Sequence, residues 1–212
     1  MGTAERKQRE KEQRRNDIID AAEKIIFRDG FHGASMEQVA AEAEISKATV
    51  YSYFKNKEEI YFAVFTRGHD LLFEIIDEET AKADSIKSKI KAFLKSFMVF
   101  KKKYPDYFAA LFYFSTNRVE LDKQTEEMKR HQEKDEVYLQ KWVDLVERGK
   151  KEKLIRQDLN PIPTVLIVWL QLVGMLKIYS VISEEIQEDL HLGEDEIFEE
   201  YYNLVLHGLY RK

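Results

Sequence analysis

Residues 35–57 read SMEQVAAEAEISKATVYSYFKNK, and this stretch decides what kind of fold the chain adopts. Ser35 followed by Met36, Val39, Ala40 and Ala43 has the form of a capped short helix, with Gln38 three residues on as a capping-box partner. A second short helix begins at Ser46 and reaches Phe54. Two helices joined by three or four residues cross steeply only where the contact side chains allow it. Ala40 is small at the crossing, Ile45 plugs the turn, and Val50 packs back from the second helix onto the first. Ser46 caps the second helix, whose first turn then presents free backbone N–H groups and a positive dipole end. In that turn Lys47, Ala48 and Thr49 can approach base edges in a major groove. Tyr51, Ser52, Tyr53 and Lys57 offer hydroxyl and ammonium donors suited to phosphate oxygens. Taken singly, each of these residues is an ordinary helix-surface or half-buried side chain. Taken at this spacing, they point to duplex DNA.

Outward from the stretch, helical signals continue in both directions. Upstream, Ile18, Ala22, Ile25 and Ile26 make an apolar stripe on a helix expected from about Arg9 to Asp29, closed by Gly30 and Gly33. Downstream, a long helix starts at Asn56 or Lys57 and buries Ile60, Val64, Leu71, Leu72 and Ile75. Further helices are expected from Ser85 to Lys103, from Asp106 to about Ser115, from about Leu121 to Lys153, from Asn160-Pro161 to about Ile186, and from Gly193 to Tyr210. With only 3 Pro and 8 Gly among 212 residues, the turns of an all-β fold have little material, and the fold class is all-α.

Composition bounds function as well. The chain has no cysteine, which excludes disulfides, thiolate metal sites and cysteine nucleophiles. The N-terminus is polar through Asp17, with no apolar signal-peptide core, and a cytoplasmic protein is expected. The net charge of −5 is unevenly placed: residues 1–67 hold 12 Lys/Arg and 12 Asp/Glu, so the surplus acid lies entirely beyond them. Arg6, Lys7, Arg9, Lys11, Arg14 and Arg15 make a mostly basic N-terminal arm, either a polyanion contact or a solvated helix whose bases pair with Glu5, Glu10 and Glu12. The apolar run from Ile162 to Ile182 is long enough to span a bilayer. Pro163, Gln171, Gly174 and Lys177 interrupt it, no basic cluster flanks it, and it reads as a buried helix.

Residues from about Lys11 to Leu72 resemble the DNA-binding domain of the TetR family of repressors. Ala40, Ile45, Ser46, Tyr51, Phe54, Lys57 and Ile60 carry the resemblance, with Gly30 and Gly33 upstream. It implies that Lys47, Ala48, Thr49 and Tyr51 sit against bases, that Tyr53 and Lys57 hold phosphates, and that Phe54 belongs to the domain core. The sequence departs from the family's pattern twice. Glu44 stands where the turn commonly has Gly, at a position that often takes positive φ, at a cost of about 1 kcal/mol if that conformation is kept. Met36 stands where a phosphate-touching Thr is frequent, so Met36 is not counted among the DNA contacts.

The expected organisation is a three-helix DNA-binding domain over residues 12–72, with its helix-turn-helix at 35–54, and a larger helical effector-binding and dimerisation domain over 73–212. DNA contacts are expected from Ser46, Lys47, Ala48, Thr49, Tyr51, Ser52, Tyr53 and Lys57. Val165, Val168, Leu172 and Leu176 on one helix, with Ile197, Tyr201, Val205 and Leu209 on another, are expected to form a twofold homodimer interface. The partner is then a roughly palindromic double-stranded operator, occupied by a repressor and no membrane protein. The resemblance also implies a small apolar or aromatic effector, with Phe97, Phe100, Phe108, Phe112, Tyr138, Trp142 and Trp169 as pocket walls; no cofactor or metal is expected. The competing class is an all-helical enzyme, or a ligand-binding protein without DNA binding. Against the enzyme, the 5 histidines (His32, His69, His131, His191 and His207) are scattered, with no paired-acid, phosphate-loop or nucleophile-elbow pattern.

Overall fold

The computed structural model describes residues 2–116 and 125–210. Its helices are α1 (Thr3–Gly33), α2 (Met36–Glu42), α3 (Lys47–Tyr53), α4 (Lys57–Ala81), α5 (Ile86–Lys103), α6 (Pro105–Thr116), α7 (Glu126–Lys151), α8 (Pro161–Leu190) and α9 (Glu194–Leu209). Among the described residues the one isolated β pairing is an antiparallel bridge between Ile155 and Tyr210. The seventh helix is described from Glu126, and the expected start near Leu121 lies outside the described residues. The first helix begins at Thr3 rather than near Arg9, and its helical path breaks at Gly30, whose φ of 72° is open to glycine at little cost.

The chain divides into two compact units. One gathers Met1–Leu71 and the chain from Tyr104 through α6; the other takes Leu72–Lys103 with α7, α8 and α9. In the first unit α1, α2, α3 and the start of α4 close over Ile18, Ala22, Ile25, Val39, Ala40, Val50, Phe54, Ile60, Tyr61 and Val64, all buried. Each Val, Leu, Ile or Phe so buried contributes about 1.5–3 kcal/mol, which is what holds helices of only seven residues in place.

The linear boundary expected at residue 72 fails for α6, which packs with the first unit. The Tyr61 hydroxyl donates to the Ala110 carbonyl at 2.9 Å, and the Tyr107 hydroxyl donates to Glu23 Oε1 at 2.6 Å. Arg67 Nη1 joins the same group, 2.6 Å from Asp20 and 2.8 Å from Glu23. Burial, followed by the Glu23 carboxylate it serves, pushes the Tyr107 phenol well above its ordinary value. A Cβ on Gly68 would meet Tyr107 Cδ1 at 2.7 Å, so α4 and α6 touch backbone to ring. Phe31, Tyr61 and Tyr113 pack in tilted and edge-to-face pairs with centroids 4.6–5.3 Å apart.

The second unit buries Leu94, Phe97 and Phe100 of α5, Trp142, Val143 and Val146 of α7, Leu172 and Leu176 of α8, and Phe198, Tyr202, Val205, Leu206 and Leu209 of α9. Ion pairs Lys91–Glu199 (2.8 Å), Lys102–Asp195 (3.0 Å) and Lys101–Glu194 tie α5 to α9. The Tyr201 hydroxyl donates to the Val168 carbonyl at 2.8 Å.

The residues expected at the dimer face divide by burial within the chain. Leu172, Leu176, Val205 and Leu209 are spent on the unit's own core, the first two with no exposed surface at all. Val165, Val168, Ile197 and Tyr201 are half-buried. Exposed large apolar residues of α8 include Leu166, Ile167, Leu170, Ile178 and Val181, from 40% to 71% exposed, with Leu204 of α9 at 65%. By length and composition α8 could cross a membrane, and only 11% of its most apolar window is buried within the chain. The helix over 162–182 is thus buried within its own chain on one face only.

Candidate nucleic-acid interface

The expected recognition element is set by local chemistry. Ser35 caps α2, its Oγ accepting from Gln38 N at 3.2 Å and donating to Gln38 Oε1 at 2.9 Å. Gln38 thus meets the cap through its side chain as well as its backbone. The turn after α2 passes through Glu44 at φ 55°, the left-handed region, and Ile45 N closes it on Ala40 O at 3.0 Å. The sequence placed a non-glycine residue at a strained position, and the strain is present.

Ser46 then caps α3, accepting from Thr49 N at 3.1 Å while its Oγ lies 2.8 Å from Thr49 Oγ1. Val50 faces inward with no exposed surface, fixing which side of this seven-residue helix faces out. On the outer side are Lys47, Ala48, Tyr51 and Ser52, all exposed, with Tyr51 at 46%. Thr49 and Tyr53 are half-buried. The Lys47 ammonium pairs with Glu37 of α2 and lies 5.7 Å from the Tyr51 ring centre. That hydrogen bond holds the Glu37 carboxyl below its ordinary value. Ser52 Oγ donates back to Thr49 O at 2.6 Å.

Six of the eight expected contact residues are therefore of two kinds. Ser46, Thr49 and Ser52 already spend their hydroxyls on α3 itself. Lys47, Ala48 and Tyr51 present reach outward from it. Lys57 opens α4 with its Nζ 4.6 Å above the Phe31 ring, and Asn56 Oδ1 accepts from Glu59 N at 2.9 Å just before it. Sequence reasoning missed the ties that hold this module: Lys24–Glu42 between α1 and α2 at 2.9 Å, and Arg15 stacked 5.0 Å over Phe54 at the end of α3. Their signal was only a cation facing an acid or an aromatic ring across a large sequence gap, which no periodicity encodes.

The expected effector walls are divided between the two units. Phe108 and Phe112 belong to the first unit, Phe97 and Phe100 are core residues of the second, and Trp169 stands 36% exposed on α8. Tyr138 stacks on Phe73 with centroids 3.5 Å apart and donates to Asp77 at 2.5 Å. Of the seven, Trp142 lines an open cleft of about 870 Å³ within the second unit, together with Asp77, Thr80, Ala81, Lys89, Val137, Gln140, Lys141, Asp144, Leu145 and Arg148. Most of these aromatic residues serve the cores of their units, and Trp142 also lines this cleft. The Trp142 indole N–H is buried and has no acceptor among the described residues.

Residues 18–64 match the family described as bacterial regulatory proteins, tetR family. The fatty acid metabolism regulator protein of Bacillus subtilis is 33% identical over 73 residues, which are 34% of this chain and 38% of that protein. The transcriptional activator FasR of Mycolicibacterium smegmatis is 28% identical over 90 residues, 42% of this chain and 41% of its own length. These matches thus span about two fifths of each relative. The fatty acid degradation regulator FadR of Bacillus halodurans has a similar fold across 93% of this chain and 97% of its own, with a TM-score of 0.66 at 21% identity.

Proposed function

Because this chain belongs to the TetR family of regulators, we propose that it is a homodimeric repressor that binds a roughly palindromic operator and releases it on taking up a small molecule. One observation carries the reading. The α2–α3 module has a capped, seven-residue second helix locked from inside by Val50, with Lys47, Ala48 and Tyr51 exposed on its outer side. Nothing in the unit's own core needs an exposed tyrosine and lysine there, whereas base edges and phosphates do. Lys57 serves a phosphate in this reading, and Tyr53 supports it from the half-buried side of α3. The protein then works in the cytoplasm, where its DNA is.

The homodimer reading rests on the uncovered face of α8. Five large apolar residues on one helix form a patch of the kind that monomeric proteins rarely leave open. A twofold contact between two copies covers it and sets two recognition helices for paired half-sites. The effector reading rests on the cleft at Trp142. An unpaired buried donor costs about 1–3 kcal/mol, which a ligand acceptor would relieve. Val137, Leu145 and Ala81 offer apolar contact, and Lys89 and Arg148 suit an acidic group on the same molecule, Lys141 being paired with Asp77. Two relatives are named for fatty acid metabolism and degradation, and control of genes in lipid metabolism is part of this proposal.

The test is direct. Tyr51→Ala should weaken binding to a palindrome selected from random duplex DNA by about 1–3 kcal/mol, a factor of roughly 10–100, and leave the melting temperature unchanged. Wild-type affinity in that variant would remove α3 from the interface. A ligand in the cleft should quench Trp142 fluorescence and weaken DNA binding, and DNA should weaken ligand binding by the same factor.

A further inference from the structure

Helix α1 begins fifteen residues before its first fully buried side chain. The domain match starts at residue 18 and the core starts at Ile18, but the helix starts at Thr3. Thr3–Asp17 therefore forms a helical arm about 22 Å long at 1.5 Å per residue. The arm has no large apolar side chain, so it has no face for a lipid surface or a hydrophobic groove.

Its charges are sorted by face. Steps of three and four back from the core stripe of Ile18, Ala22 and Ile25 lead to Arg15 and Arg14, then Lys11, then Lys7. The face that is apolar inside the domain thus becomes cationic outside it. Glu5, Glu10 and Glu12 lie roughly 90–130° around the helix from that stripe. They have other partners or none on it: Glu10 pairs with Arg6 at 2.7 Å, and Glu5 accepts from Gly2 N at 3.1 Å. Lys7 and Lys11 are exposed and carry no ion pair or hydrogen bond among the described residues. Arg14 is 49% exposed and only loosely paired, 3.7 Å from Asp17. At the base of the arm, Arg15 lies 5.0 Å over Phe54, the residue that ends α3. The cationic stripe is thereby tied in register to the recognition helix.

We propose that Lys7, Lys11 and Arg14 are a second DNA-binding element, an arm that takes backbone phosphates of the duplex flanking the half-site read by α3. The proposal rests on the reading that α3 binds DNA and extends the footprint beyond it. Phosphate is the occupant that matches the chemistry: three flexible cations in one row, no acid between them, no apolar surface beside them. The arm adds affinity without sequence preference, because ammonium and guanidinium groups on phosphates read charge rather than bases.

The experiment uses the full chain with Lys7, Lys11 and Arg14 changed together to Gln, which keeps helix propensity. Binding is measured against a 40-bp duplex carrying the palindrome that the wild type selects from random DNA, and against the same palindrome trimmed of its flanks, over a salt series. On the long duplex the variant should lose tenfold or more in affinity at about 0.1 M salt, and its log-affinity against log-salt slope should flatten by about 2–3 units. On the trimmed duplex the two proteins should bind alike, and the preference for palindrome over scrambled sequence should not change. Lys7→Arg with Lys11→Arg should behave as wild type. An unchanged slope on the long duplex, with selection of the palindrome intact, would overturn the arm and leave the α3 reading standing. Equal losses on both duplexes would overturn its placement on the flanks. A wild type that selects no DNA at all would bring down both.

Discussion

Helices α3 and α8 expose their surfaces for opposite reasons. Helix α3 has seven residues, one fully buried side chain, and an outer side of lysine, alanine, tyrosine and serine. Helix α8 has thirty residues, a core face of Leu172, Leu176 and Tyr179, and an opposite face of leucine, isoleucine and valine left open. Polar exposure on a short capped helix costs a monomer nothing. Apolar exposure on a long helix is an unfinished interior. In the proposed function, what each helix leaves in water suits a different partner, a polyanion for α3 and a second apolar surface for α8.

The sharpest way to break that contrast is on α8. Ile167→Glu with Leu170→Glu changes only residues more than half exposed, so helicity should persist while the dimer falls to monomer in sedimentation at micromolar concentration. A persisting dimer would assign the open face to something other than a second copy. Leu172→Ala on the other face should do the reverse, costing about 2–5 kcal/mol of subunit stability in denaturant titration, as a cavity in a close-packed core does. A smaller effect separates structure from contact on α3. Ser46→Ala removes the cap and should cost about 1 kcal/mol in stability, with DNA affinity falling no further than that loss. The smallest change runs the other way. Glu44→Gly relieves the left-handed residue at φ 55° and should stabilise the chain by about 0.5–1 kcal/mol, seen as a higher melting temperature.

The helix-turn-helix was legible because everything that defines it is local. Caps at Ser35 and Ser46, small Ala40, inward Val50 and the odd Glu44 all lie within sixteen residues, and their physics does not depend on distant chain. The outer α8 face was not legible for the opposite reason. A helix apolar all round carries no periodic contrast, so Leu172 and Leu176 could not be told from Ile167 and Leu170 without knowing which side the unit's core occupies. The allegiance of α6 was hidden by separation: Tyr61 meets Ala110 across 49 positions and Tyr107 meets Glu23 across 84. The start of α1 was missed because no Ser, Thr, Asp or Asn cap announces it; Gly2 stands there instead. Among the aromatics, composition does not separate wall from core: Phe97 and Phe100 are buried in the second unit, while Trp142 lines the cleft.

The interruption of the first unit by α5 has a practical consequence. A fragment ending at residue 72, the natural cut to draw from the motif, would keep every side chain expected to meet DNA and lose the helix that covers Tyr61 and fills the space above Gly68. Such a fragment would carry an aromatic wound of Phe27, Phe31 and Tyr61, stripped of Tyr107 and Tyr113. It would be expressed as a sticky, partly folded peptide whose failure to bind an operator would say nothing about α3. The isolated reader has to be built with the α6 segment spliced back on, as a chain with an altered order of parts.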